Sequence, residues 1–281
     1  GGSSGNIAYG TARLGLKSAM LTRVGNEHMG RFVKEELDRV GCDTSHVVTD
    51  EQRLTGLVLL GIKDQDTFPL IFYRNDCADM AVSKDDFDAE FIGSAKALVI
   101  TGTHFSTEST YETSKQAIAY AKQAGTKCAL DIDYRPVLWG LTNPGDGETR
   151  FISNEKVSAH MQSILADFDL IVGTEEEVHI AGGSTDTITA LKKIRELSNA
   201  TIVLKLGSQG CTVLEGAIPD SMDAFELHVG VRVDVLNVLG AGDAFMSGFL
   251  RGWIRGESAE QSCTYANACG ALVVSRHGCA P

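Results

Sequence analysis

Apolar positions along this chain switch between two periods. From Arg31 to Val40 they recur every three or four residues, as on an amphipathic helix, and Gly41 follows as a stop. Thr55 to Ile62 and Phe68 to Arg74 read as strands, joined by the polar turn Lys63-Asp64-Gln65-Asp66-Thr67, so a hairpin over 55–74 is set between helical units. Ahead of these, 6–14 reads as a helix and 18–24 as a strand. From residue 97 onward the two patterns alternate. Strands are expected over 97–101, 127–131, 170–172, 201–206, 211–214 and 225–235. Helices are expected over 111–124, 155–167, 175–181, 186–197, 242–255 and 259–274. Strands separated by helix-length segments predict an α/β fold with a mostly parallel sheet covered on both faces. No repeat, low-complexity tract or linker divides the chain, so residues 1–281 are expected to form one domain with the 55–74 hairpin inserted in it.

Composition narrows the function. The chain has 281 residues, 43% hydrophobic and 22% charged, which describes a globular protein with a full core. A net charge of −12 argues against a nucleic-acid surface, so an anionic substrate needs locally placed arginines or lysines. The seven cysteines are scattered and form no Cys-x-x-Cys pair, as expected of reduced thiols in a cytoplasmic protein. No apolar run is long enough to span a bilayer, and no signal peptide is visible.

The most informative stretch is Asn237-Val238-Leu239-Gly240-Ala241-Gly242-Asp243, between a strand-like run and a helical one. Its glycines allow a sharp turn and close approach of a ligand. The turn offers backbone N–H groups at the positive end of a helix, which suits a phosphate or a developing oxyanion. A carboxylate there repels a bound anion, so Asp243 calls for its own explanation. Taking the proton from a hydroxyl that attacks a phosphorus atom is one that fits. An ordinary tight strand-to-helix connection is the plainer reading of the same residues. At the other end, Gly1 and Gly2 precede a helix whose first turn carries Asn6, an arrangement for a hydroxyl ligand or simply for a capping side chain.

Together these segments resemble the two signatures of the ribokinase-like (PfkB) carbohydrate kinases: Gly1-Gly2 with Asn6, Gly15 and Gly25 the first, Asn237 to Phe249 the second. The resemblance covers the whole chain. It implies a ribokinase-like three-layer α/β/α sandwich with a small β lid formed partly by 55–74; an exposed lid sheet can pair with a second copy, so a homodimer through the lid is expected. It also implies a strand with a sugar-binding aspartate ahead of the Gly-Gly turn, so the chain is expected to begin inside the domain. By the resemblance Asp243 is the general base, while the N–H groups of Gly240, Ala241 and Gly242 hold the transferring phosphoryl group. Lys205, Gly207 and Gly210 match the nucleotide loop, and Asn267 lies where family members contact adenine. Glu177 matches the glutamate that helps hold Mg²⁺ beside ATP. Two positions depart from the family pattern: Thr174 replaces an asparagine, and Asn237 replaces an aspartate that commonly helps bind a monovalent cation.

Two arginines point to the substrate. Arg74 ends the second hairpin strand, and Arg135 follows the strand over 127–131 at the end where α/β sites form. Arginine matches a carboxylate with its two-pronged fork, although either residue could be an ordinary surface arginine. Both segments resemble those of family members acting on keto-sugar acids, where these arginines meet the substrate or phosphate. With Gly1 to Gly25, Leu57 to Met80 and Leu170 to Gly182, they imply transfer to the terminal hydroxyl of 5-dehydro-2-deoxy-D-gluconate. The isomeric 2-dehydro-3-deoxygluconate is the nearest alternative. From another class, a nucleotide-binding regulatory protein with a decayed kinase site is supported by Thr174 and Asn237. The retained Asp243, glycine turn and Lys205 oppose it.

Overall fold

The computed structural model describes residues 2–61, 63 and 68–280. Helix α1 (Ser3–Arg13) opens the chain. Strand β1 (Thr22–Gly25), helix α2 (His28–Arg39) and strand β2 (Val47–Asp50) follow, with β1 and β2 paired in parallel. Strands β3 (Leu57–Leu60) and β4 (Leu70–Tyr73) form the expected antiparallel hairpin, in a register that sets Leu57 opposite Tyr73 and Leu59 opposite Ile71. Its turn residues 62 and 64–67 lie outside the described residues.

The alternating half follows in order: α3 (Ala89–Ser94), β5 (Ala97–Thr101), α4 (Glu108–Ala124), β6 (Lys127–Asp131), α5 (Glu155–Gln162), β7 (Leu170–Thr174), α6 (Glu175–Gly182), α7 (Thr187–Leu197), β8 (Thr201–Lys205), β9 (Gly210–Leu214), β10 (His228–Val229), α8 (Ala241–Arg255) and α9 (Ala259–Val274). One six-stranded sheet runs β10-β9-β8-β7-β6-β5. Strands β5 to β8 are mutually parallel, and β9 and β10 each pair antiparallel to their neighbour.

Successive residues of a strand point to opposite faces, and the core follows that rule. Ile171 joins a cluster with Ile118 and Ala121 of α4, Val178 of α6 and Leu191 of α7. Its neighbours Leu170 and Val172 join a second cluster with Ile7 of α1, Phe249 and Leu250 of α8 and Cys263 of α9. Helices therefore cover both faces, which makes the three layers and explains the unbroken apolar runs of the central strands.

Many element boundaries shift by one to three residues, β2 and α3 have no counterpart among the expected elements, and three segments depart further. Only Thr22–Gly25 of the 18–24 run is strand, although Ala19 still bridges Asp43. The 155–167 helix stops at Gln162 and resumes as a short 3₁₀ turn over Leu165–Asp167. The 225–235 strand does not form beyond His228–Val229, which pairs with Gly210 and Cys211 at the sheet edge. Its valines 229, 231, 233 and 235 all remain exposed, because no second layer covers that face to reward the alternation. At the opposite edge, β5 borders a cavity of about 800 Å³ lined by Ile7, Met20, Leu98, Ile100 and His104 among others.

Candidate active site

The C-terminal ends of β6, β7 and β8 meet the N-termini of α1 and α8, the usual place for a site in an open α/β sheet. Gly240 caps α8 with φ of +84°, and a Cβ on it would lie 2.2 Å from the carbonyl oxygen of Cys279, so only glycine fits. The Ala241 N–H makes only a long 3.4 Å bond to the Val238 carbonyl. Asp243 stands in the first turn of α8, and Asn6 of α1 donates to its Oδ2 from Nδ2 at 2.7 Å. The two helices are tightly joined: a Cβ on Gly10 would be 2.5 Å from Oγ of Ser247. The thiol of Cys279 reaches the other side of Asn6, with Sγ 3.5 Å from Oδ1.

Beside this turn runs a buried chain of alternating charges. Lys205, at the end of β8, sets Nζ 3.2 Å from Asp131 and 3.5 Å from Glu177. The same Nζ lies 3.4 Å from where a Cβ of Gly242 would stand, so Lys205 sits at the glycine turn. Glu177 accepts from the Thr174 N–H at 2.8 Å while Thr174 Oγ1 accepts from the Glu177 N–H at 3.3 Å, a reciprocal cap on α6. Its other oxygen meets Nη1 of Arg135 at 3.3 Å, and Nη2 of Arg135 meets Asp133 at 3.1 Å. Burial pushes Asp131 up to about 7 against the pull of Lys205, with Glu177, Asp133 and Asp243 adding to the rise. Burial and the charge of Asp133 push Asp243 up to about 6, opposed by the Asn6 hydrogen bond and by Arg135 and Lys205.

Of the residues expected at the site, Asn6, Asp243, Gly240, Ala241, Gly242, Lys205, Glu177 and Arg135 come together. Gly1 lies outside the described residues; Gly2 caps α1 with φ of +85°, and its carbonyl accepts from the Asn6 N–H at 2.9 Å. Arg74 is ion-paired with Asp79 and touches Sδ of Met80 at 3.2 Å. Both arginines expected to meet the substrate or a phosphate thus already have internal acids. Gly207 is open, whereas a Cβ on Gly210 would collide with the His228 carbonyl at 2.0 Å. Asn267 donates to the carbonyls of His228 at 3.0 Å and Val229 at 3.2 Å, so it fastens α9 to β10. Asn237 is buried and donates to the Arg276 carbonyl at 2.7 Å while accepting from the Leu239 N–H at 3.0 Å. A carboxylate could not make that donation, which gives the departure at this position a physical basis.

Among the described residues no group of three or more His, Cys, Asp or Glu side chains is placed to hold a metal. The donor set therefore fits a Mg²⁺ carried by substrate phosphates and waters, with Glu177 as a nearby carboxylate, and does not fit an all-protein cage. Sequence reasoning passed over Asp131 and Asp133, although acids at the C-terminal end of a central strand were a usable signal. Asp133 is buried with a positive φ of 35°, an uncommon backbone state for a residue other than glycine.

Comparison with known proteins agrees with this geometry. The profile of the pfkB family of carbohydrate kinases matches residues 1–281, and the chain belongs to that family. It is 33% identical over 281 residues to a 5-dehydro-2-deoxygluconokinase from Shouchella clausii, covering 99% of this chain and 81% of that protein. Among solved structures, a fructokinase from Vibrio cholerae O395 bound to fructose, ADP and a calcium ion superposes with a TM-score of 0.82 at 25% identity, covering 100% of this chain and 86% of that one. A putative ribokinase II from E. coli, in complex with ATP and Mg²⁺, shares the fold with a TM-score of 0.84 at 20% identity, over 99% and 83% of the two chains.

Proposed function

We propose that the protein is an ATP-dependent kinase that phosphorylates the terminal hydroxyl of 5-dehydro-2-deoxy-D-gluconate, in myo-inositol catabolism. The observation that carries the reading is Asp243, held by Asn6 at the N-terminus of α8 and flanked by Lys205. Asp243 takes the proton of the attacking hydroxyl. Its raised affinity for protons suits a base working near neutral pH. The N–H groups of Gly240, Ala241 and Gly242, at the positive end of α8, hold the transferring phosphoryl group, and Lys205 adds a fixed cation beside them. The ATP phosphates extend toward Gly207 and Gly210, with adenine near Asn267. Mg²⁺ supplies neutralisation of phosphate charge when bound, and Glu177 would steady it through water.

Gly1, Gly2 and Asn6 bind sugar hydroxyls, while Arg74 and Arg135 serve the carboxylate by exchanging part of their internal pairing for it. The 55–74 hairpin acts as a lid on the catalytic unit formed by residues 1–281, keeping water from the phosphoryl group. One face of that hairpin exposes Leu57, Leu59, Ile71 and Tyr73 together, and its register places them side by side. Such a patch supports a homodimer joined through the lids. No described helix is long and apolar enough to cross a membrane, and the reduced thiols fit a cytoplasmic location.

An ATP-coupled assay with 5-dehydro-2-deoxygluconate and 2-dehydro-3-deoxygluconate side by side tests the reading. A large preference in kcat/KM for the first is expected. Preference for the second would move the enzyme to another sugar-acid pathway, and turnover of neither would overturn the proposal.

A further inference from the structure

Four cations stand at or near the site, and three of them are neutralised internally. Lys205 has Asp131 and Glu177, Arg135 has Asp133 and Glu177, and Arg74 has Asp79. The fourth, Arg150, is half-buried and makes no hydrogen bond or ion pair with a described residue. It lies in the irregular stretch after Trp139, where the residues on either side of it are fixed. Thr149 donates from Oγ1 to Asp146 at 2.8 Å. Phe151 sets its ring edge-on against His179 of α6, at 6.0 Å between centroids and two residues from Glu177. The Ile152 carbonyl accepts from the buried Tyr134 hydroxyl at 2.8 Å, next to Arg135. The charged groups that act on Arg150 are Arg135, Asp133 and the α6 acids Glu176 and Glu177.

The same loop is tied to the hairpin. The Gly147 N–H donates to the Leu70 carbonyl at 3.0 Å, and the Phe72 N–H donates to the Pro144 carbonyl at 3.1 Å. A Cβ on Gly147 would lie 2.6 Å from the Phe72 ring, so the loop packs on β4 through its backbone.

A partly desolvated guanidinium beside a second arginine is costly unless an anion compensates it. Burial and the charge of Arg135 both lower its hold on its proton, while Glu177, Asp133 and Glu176 lie close enough to oppose that without bonding to it. A planar fork left without a partner matches the two oxygens of a carboxylate or phosphoryl group.

We propose that Arg150 binds an oxyanion of a reactant at the mouth of the Asp243 site, either the carboxylate of the sugar acid or a phosphoryl group of ATP. This rests on the kinase reading above.

Arg150→Ala and Arg150→Lys, made in the full chain, test it by steady-state kinetics with 5-dehydro-2-deoxygluconate and ATP varied separately. Because Arg150 has no bond to lose, both variants should fold, and thermal unfolding of each checks this. If the partner is the carboxylate, Arg150→Ala raises KM for the sugar acid about tenfold or more and leaves KM for ATP within about twofold. If the partner is a phosphoryl group, KM for ATP rises or kcat falls instead. Lysine, which keeps the charge without the fork, should restore only part of the loss. Wild-type kinetic constants in both variants would overturn the inference while leaving the kinase reading intact. A wild-type protein that turns over neither keto acid would overturn that reading. Arg150 would then be judged by the ATP dissociation constant from titration calorimetry, and no change in Arg150→Ala would sink it.

Discussion

Asn6 and Asp243, 237 positions apart in the chain, are joined by a 2.7 Å hydrogen bond from the amide Nδ2 to the carboxylate Oδ2. The bond favours the ionised carboxylate and so works against the burial that raises its pKa to about 6. A base must be deprotonated to act, so kcat/KM should fall as pH drops through about 6. Asn6→Ala removes the opposing bond and should move that acid limb to higher pH. An unmoved limb would separate Asn6 from the catalytic proton.

Asp243→Asn should lower turnover by about 10²–10⁴-fold while nucleotide binding persists. It should also stabilise the free protein. The folded-state pKa of Asp243, about 6, lies above the ordinary value of 3.8, so folding favours the protonated form. Its contribution is present below pH 4 and is lost as pH rises through 6. The variant should therefore melt above wild type at pH 7.5, and the gap should close near pH 4. A variant less stable than wild type at pH 7.5 would contradict the electrostatic account.

Arg74→Ala should raise KM for the sugar acid about tenfold and leave that for ATP unchanged, as expected for loss of a charge-assisted fork. The ion pair with Asp79 complicates the variant, since removal strands a carboxylate with one buried, unbonded oxygen. The double variant Arg74→Ala, Asp79→Ala should recover stability without recovering KM. Equal effects on both substrates would remove Arg74 from the carboxylate.

Leu59→Lys places a charge at the centre of the exposed hairpin face. In a two-fold dimer both copies lose the contact, each burial contributing about 1.5–3 kcal/mol. Sedimentation should show wild type as a dimer and the variant shifted to monomer. A monomeric wild type would end the lid-pairing proposal.

Much of this was legible in the chain. Strands β5 and β6 and helix α9 fall on their expected residues, because a buried parallel strand and a helix capped by Ser258 leave little freedom. The Gly240 turn was readable because its glycines mark a sharp connection into a helix, and Gly240 does cap α8 with a positive φ. The pairing of charges was not readable. That Lys205 turns from the Gly207 loop toward Asp131 and Glu177, or that Arg135 is shared by Asp133 and Glu177, depends on strand order and not on local sequence. The 225–235 segment failed for a related reason: alternation predicts a strand only where a neighbouring layer exists to bury one face.

The closeness of Cys279 to the Gly240 turn gives the protein a natural reporter. Its carbonyl leaves no room for a side chain at Gly240, and its thiol lies against Asn6. Five of the other six cysteines are buried, and Cys269 is half-buried in α9. A bulky group placed on the Cys279 sulfur would press on the residue that orients Asp243. Alkylation followed by mass spectrometry would thus report occupancy, with bound substrates slowing the labelling of this thiol in step with the loss of turnover that labelling causes.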